Sequence, residues 1–355
     1  MKLIHVVGAR PNFPKLAPVY RAGGERGVEQ VVCHTGQHYD EALSDTFFRD
    51  LKLPPPDINL GVGSASHAVQ TARIMERFDD IIQGTDFDWV VVYGDVNSTV
   101  AAALVAAKRG IRVAHVEAGL RSGDTTMPEE INRIVTDRLA SLLLTPSHDA
   151  SARLRAEGEP EEEIAFVGNV MIDSLYAALD MAKASGFVDR LNLDGSHVMV
   201  TLHRPSNVDD PVRMRLLVHV LDLIAKDRRV LFSMHPRTRS QLQRQGLAFQ
   251  FVEVLDPISY LEMVDSMRTA WCVITDSGGL QEETTALGVP CFTLRDNTER
   301  PVTVSEGTNI LVLDPKLLPT LVVENPRRGH SHSPDGWDGC AGPRVIDALA
   351  RTNLR

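Results

Sequence analysis

A chain of 355 residues, 43% hydrophobic and 24% charged, has room for two ordinary globular domains. Its net charge of −10 is not offset by any basic stripe, which argues against general nucleic-acid binding and against an anionic membrane surface as partner. No apolar stretch approaches the roughly 20 residues that a bilayer-spanning helix needs, and residues 1–8 read as a first strand rather than a signal peptide.

Short apolar runs alternate with longer helical patterns almost from end to end. The first series predicts strands over 3–7, 30–35, 89–93, 112–116, 142–145 and 164–167. Helices are predicted over 14–22, 40–51, 65–83, 99–109, 129–140 and 148–157, with a break at Pro54-Pro55-Pro56. A charged loop at 158–163 and the Gly168-Asn169 turn place a hinge near 167–171. The second series predicts strands over 198–202, 230–234, 252–254, 272–275, 290–293 and 310–312. Its helices run over 210–226, 239–245, 259–266 and 280–287. Residues 326–342 read as a loop, and 343–351 as a last helix. Strand-then-helix alternation implies parallel sheets covered on both faces, so the expected fold is α/β with two Rossmann-like, doubly wound domains. The boundaries expected are 1–167 and 168–342, with the terminal helix of about 343–355 packing back on the first domain. The four cysteines form no CxxC pair, and Cys33, Cys272 and Cys291 lie in or beside strand-like runs. Buried, reduced thiols of a cytoplasmic protein are expected.

Three acidic positions carry the chemistry. Asp95 follows the strand 89–93 through Gly94, and Glu117 directly follows 112–116. Glu129 and Glu130 open the next helical pattern behind Pro128. Carboxylates at the carboxyl ends of parallel strands face the crevice where α/β sheets bind ligands. Acid–base chemistry at carbon needs such groups, and close acids divide into acid and base roles. The plainer reading makes each a loop hydrogen-bonder, and Glu129 and Glu130 first-turn partners of the helix dipole.

Other turns suggest anion binding. In the stretch 8–15, Gly8 permits a tight turn and Arg10 and Lys15 flank a helix start, a phosphate cradle that is neither a dinucleotide fingerprint nor a P-loop. An ordinary strand–helix turn with solvated cations fits the composition slightly better. At 276–283, Ser277 and the amides around Gly278 and Gly279 suit a diphosphate, and Glu282 suits ribose hydroxyls. Asp276 or Ser277 as an N-cap is the alternative, compatible with the first. His203-Arg204 and His235-Pro236-Arg237 end neighbouring strands, which points both histidines into one cleft. The His330-Ser331-His332 tract, with Asp335 and Cys340 nearby, has no element to fix its geometry, so no metal site is expected.

Taken together, G-A-R-P at 8–11, T-G-Q-H at 35–38, G-D at 94–95, H-V-E-A-G-L-R-S at 115–122 and P-E-E-I-N-R at 128–133 form an ordered set. G-N at 168–169, H-R at 203–204, D-S-G-G-L-Q-E-E at 276–283 and T-E-R-P at 298–301 complete it. Over nearly its whole length the chain resembles the bacterial UDP-N-acetylglucosamine 2-epimerases, chiefly the non-hydrolysing group. The resemblance implies a GT-B arrangement with the active site in the interdomain cleft, a homodimer, and no NAD or metal cofactor. It implies loss of the C2 proton and departure of UDP to give 2-acetamidoglucal. UDP then re-adds once a proton has reached the opposite face. By position it makes Asp95, Glu117, Glu129 and His203 catalytic. It gives Arg10, Ser277, Gly278, Gly279, Glu282 and Arg300 to UDP, and Lys15 to the sugar end. A regulatory UDP-sugar site would fall on Gln37, Arg73, Glu130, Arg204 and His235, with Asp40 in place of a family glutamine. That change, a short 124–129 stretch, and Pro-Ser-Asn after His203-Arg204 leave room for a different UDP-sugar. The alternatives are a hydrolysing epimerase that releases UDP, a GT-B glycosyltransferase, and a silent nucleotide-sugar binding protein.

Overall fold

The computed structural model describes residues 1–37, 50–324 and 333–353. Most of the helix expected at 40–51, including Asp40, lies outside them, as do His38 and the His330-Ser331-His332 tract. The chain divides into two compact units, Met1–Tyr176 with Asp335–Arg355, and Ala177–Pro334.

Unit 1 is a parallel sheet of seven strands: β1 (Lys2–Val7), β2 (Glu29–His34), β3 (Ile58–Asn59), β4 (Trp89–Tyr93), β5 (Arg112–Val116), β6 (Leu142–Thr145) and β7 (Ile164–Phe166). The order is β3-β2-β1-β4-β5-β6-β7. Its helices are α1 (Phe13–Glu25), α2 (His67–Ile82), α3 (Asn97–Lys108), α4 (Pro128–Leu139), α5 (His148–Ala156) and α6 (Val170–Ala184). The central strands are largely apolar, as burial on both faces requires, and β4 is buried at all five positions. On α2 a stripe of Ile74, Phe78 and Ile82 at four-residue spacing meets the sheet. Each such side chain contributes about 1.5–3 kcal/mol on burial. Small residues Ala101, Ala102, Ala103 and Ala106 on α3 sit in the same core. Within it His5 bonds Tyr93 at 2.7 Å and Gln30 at 3.0 Å. Burial lowers this histidine to about 4, against a smaller opposing effect of Gln30, so it is neutral.

Two elements of unit 1 escape the sequence pattern. The two-residue strand β3 is too short to show a period, and α6 starts directly after the turn signal at Gly168-Asn169, where the sequence pattern places the hinge. The division between the units falls inside α6. Both Asp173 oxygens on α6 accept the amides of Ala341 and Gly342, at 3.1 and 2.8 Å. They thereby satisfy the first turn of the last helix, Ala341–Asn353, which packs on α1.

Unit 2 repeats the architecture with six parallel strands: β8 (Val198–Thr201), β9 (Val230–Ser233), β10 (Glu253–Leu255), β11 (Cys272–Thr275), β12 (Cys291–Thr293) and β13 (Asn309–Leu311). Their order is β10-β9-β8-β11-β12-β13. Val200, Phe232, Ile274 and Phe292 on the sheet pack with Leu217, Leu221 and Ile224 of the helix Pro211–Ala225. Cys33, Cys272 and Cys291 are buried free thiols, and Cys340 is exposed.

Candidate active site

In each sheet the strand order reverses once at a central pair, between β1 and β4 and between β8 and β11. Outside the carboxyl ends of such a pair the flanking turns diverge and leave room for a ligand. In unit 1 the β1 turn carries Gly8 to Lys15 and the β4 turn carries Gly94-Asp95. Glu117 stands at the end of β5 beside them.

Lys15 and Glu117 form a buried ion pair. Glu117 has φ of 76°, a left-handed conformation costly for a residue with a side chain. Gly94 has φ of 62°, and a Cβ there would meet Lys15 Nζ at 2.6 Å and Glu117 Oε2 at 3.6 Å. The ion pair therefore lies against the backbone of the residue that precedes Asp95. Asp95 itself is 27% exposed and takes the Arg133 guanidinium on Oδ2 at 2.7 Å. Arg133 also pairs with Glu130. Burial pushes the Glu130 carboxyl up, but the Ser122 and Gly123 amides at 2.9 and 2.8 Å, with Arg133, bring it below its usual range. Asn132 Nδ2 donates to the Asp95 carbonyl at 2.9 Å. Glu129 is half-buried one residue before Glu130 and makes no ion pair among the described residues.

The β1 turn satisfies its own first amides. Asn12 Oδ1 accepts the Gly8 and Ala9 amides, both at 3.1 Å, so neither donor is left for a phosphate in this arrangement. Gly8 is required for close approach rather than for a turn: a Cβ would collide with Ser98 and Thr35. Arg10 lies in the 3-10 turn Arg10–Asn12.

In unit 2 the buried Asp276 organises the β8 turn. Its oxygens accept the amides of His203 at 3.1 Å and Arg204 at 2.9 Å, and the Asn207 amide at 3.0 Å. His203 Nδ1 stands 3.1 Å from Oδ1. Burial raises the Asp276 carboxyl, and His203 leads the contacts that bring it net below the usual carboxylate range. The sequence allowed Asp276 as an N-cap; the cap position belongs to Ser277, and Asp276 faces back across the sheet. His203 and His235 come together as expected, ring centroids 6.2 Å apart. His235 caps the helix Pro236–Arg244 by accepting the Arg237 amide at 3.2 Å.

Gly278 and Gly279 open the helix Gly278–Leu287. Arg300 and Glu299 crowd Gly278, where a Cβ would meet them at 2.7 and 2.9 Å. Arg300 pairs with Glu282 at 2.8 Å, so the residues expected at a nucleotide stand together. Glu283 lies behind them, takes the Tyr260 hydroxyl at 3.0 Å, and is pushed up to about 7 by burial and by Glu282 against that bond. Of the regulatory candidates, Gln37 holds the Ser98 amide and hydroxyl at 3.1 and 2.8 Å, and Arg204 Nε donates to the Asp276 carbonyl at 3.0 Å. Arg73 is exposed on α2. Among the described residues no group of three His, Cys, Asp or Glu could hold a metal ion, and no helix is long and apolar enough to cross a membrane.

A family model described as UDP-N-acetylglucosamine 2-epimerase matches residues 22–349. The chain belongs to the UDP-N-acetylglucosamine 2-epimerase family. The family's named enzyme from Methanocaldococcus jannaschii is 39% identical over 98% of this chain and 99% of its own. A UDP-2,3-diacetamido-2,3-dideoxy-D-glucuronate 2-epimerase from Pseudomonas aeruginosa is also 39% identical, over 99% of this chain and 100% of its own. A crystal structure of the M. jannaschii UDP-GlcNAc 2-epimerase with UDP-GlcNAc and UDP superposes with a TM-score of 0.90 at 38% identity, covering 99% and 100% of the two chains. The chain is thus a member of an isomerase family with an α/β, two-domain, GT-B-like architecture.

In this epimerase-family chain the sequence reading gave no role to His115, Arg121, Arg133 and Asp137, which surround the unit 1 carboxylates, although the first three lie inside the motifs at 115–122 and 128–133. Their signal was the spacing of Glu130, Arg133 and Asp137 at i, i+3 and i+7, which puts three charges on one helix face.

Proposed function

We propose that the protein interconverts UDP-N-acetylglucosamine and UDP-N-acetylmannosamine without net hydrolysis, supplying precursors for surface polysaccharide. One of Asp95, Glu117 and Glu129 takes the C2 proton as the C1–C2 double bond forms. The C1–oxygen bond breaks, and UDP leaves with the electron pair. A proton is then delivered to the other face of C2, and a UDP oxygen re-forms the bond to C1. Ser277, Gly278, Gly279, Glu282 and Arg300, with Arg10, are assigned to the nucleotide side, where helix amides and cations stabilise the departing diphosphate, and His203 is assigned to the catalytic set. Lys15 is assigned to the sugar end.

The observation that carries this reading is the Lys15–Glu117 pair set against Gly94-Asp95 at a sheet switch point, in a chain of this family. In deuterated solvent, turnover of UDP-N-acetylglucosamine should place deuterium at C2 of the product while free UDP stays far below product. Free UDP equal to product would replace this reading with the hydrolysing one. A second reading, epimerisation of a UDP-diacetamido-uronate, is favoured by the equal identity to the P. aeruginosa relative. Competition between the two UDP-sugars for turnover decides between them.

A further inference from the structure

Helix α4, whose final residue Leu139 packs on the apolar core, buries a polar face. Its buried positions are Glu130, Asn132, Arg133, Thr136 and Asp137, all polar. Ile131 and Ile134 are exposed, at 52% and 42%. A helix retained for apolar packing would bury the isoleucines, and burying charge is costly unless every group is paired. The buried face is therefore explained by what it holds.

Arg133 and Asn132 hold Asp95, as described. Asp137, one turn further, divides its two oxygens between the two catalytic turns. Oδ1 lies 2.6 Å from His115 Nδ1, and His115 Nε2 lies 2.8 Å from the Gly94 carbonyl. A carbonyl only accepts, so Nε2 carries hydrogen and donates. Oδ2 accepts the Gly119 amide at 3.1 Å and Arg121 Nη1 at 2.7 Å. Arg121 is fixed in turn by Glu157, at 3.1 and 2.7 Å. On the other side of that turn the Leu144 carbonyl accepts the amides of Glu117 and Ala118, at 3.0 and 3.1 Å. The left-handed Glu117 backbone is thus gripped from both flanks, the kind of over-determination that a strained conformation needs.

We propose that Asp137 is a positioning residue for both strand-end carboxylates, acting on the Gly94-Asp95 turn through His115 and on the Glu117–Gly119 turn through the Gly119 amide. The inference rests on the catalytic reading of Asp95 and Glu117. It adds that their relative placement is set by one buried carboxylate that touches neither substrate nor either acid.

The test is Asp137→Asn in the full chain, which keeps the volume and loses the charge. Misplacing reacting groups by about 1 Å lowers kcat by about 10²-fold, so that loss is expected with KM unchanged to within about threefold. UDP affinity, read by calorimetry, should also stay unchanged. A kcat equal to the parent's overturns the proposal, as does a parallel loss of UDP affinity, which marks general damage. Should Asp137→Asn not fold, His115→Gln retains a donor for the Gly94 carbonyl and severs it from Asp137. A fall in kcat of about 10-fold at constant KM is expected there, and none overturns the proposal. Asp95→Asn and Glu117→Gln serve as controls. If they retain C2 exchange, the functional reading itself fails; if they abolish it while Asp137→Asn is unaffected, only the positioning inference fails.

Discussion

In unit 1 the strand order reverses between β1 and β4, and the turns there present carboxylates, each with a cation against it: Glu117 with Lys15 and Asp95 with Arg133. In unit 2 it reverses between β8 and β11, and the turns there point inward on one carboxylate, Asp276, which collects backbone and side-chain donors from the opposite strand end. The same topology therefore yields two kinds of site. One offers acids and suits proton transfer at carbon. The other locks its acid away and leaves a helix start bearing Ser277, Gly278 and Gly279, which suits an anion.

That contrast is sharpened or broken by experiment. The largest effect is expected from Asp95→Asn or Glu117→Gln: kcat falls by about 10²- to 10⁴-fold with UDP affinity unchanged, because the damage is confined to the acid–base side. Equal loss of UDP binding, by calorimetry, would erase the distinction. Asp276→Ala should do the reverse. It strands the amides of His203, Arg204 and Asn207, costs about 3 kcal/mol in urea denaturation, and weakens UDP before it affects C2 exchange in the remaining bound complex.

Glu283 gives an effect that is no larger and depends on pH. Its native pKa is raised to about 7, from an ordinary 4.5. Between those values the native state holds a proton that the unfolded chain has released, so stability is full below about pH 4.5 and declines as pH rises towards 7. Glu283→Gln should remove up to about 3 kcal/mol of that decline, seen as Tm values at pH 5 and pH 8 that lie closer together than in the parent. An unchanged slope would show that Glu283 is not the buried acid responsible.

Much of this was legible in the chain. Apolar runs of three to six residues between helical patterns mark every described strand but β3 to within a residue or two, because strands buried on both faces are written largely in apolar residues. Asp95 and Glu117 were legible because a polar residue directly after such a run sits at a strand's carboxyl end. What holds them was not. Lys15 meets Glu117, and His203 meets Asp276, across long separations that parallel crossovers create and that no local spacing encodes. Helix α4 was legible as a helix but not in which face it buries, since Ile131 and Ile134 face out while Glu130, Arg133 and Asp137 are buried. Gly8 looked like a turn glycine and proved to be one that makes room for Ser98 and Thr35.

The last helix has a consequence for biosynthesis. Unit 2 is one uninterrupted segment, Ala177–Pro334, whereas unit 1 needs Asp335 onward, including Gly342, where a Cβ would lie 2.5 Å from the Pro18 carbonyl. A ribosome delivers residues from the N-terminus onward, and domains fold as units as they emerge. Unit 2 is therefore complete while unit 1 still lacks its final helix. Unit 1 is thus begun before unit 2 and finished after it, and α1 waits for its partner helix through more than three hundred residues of translation.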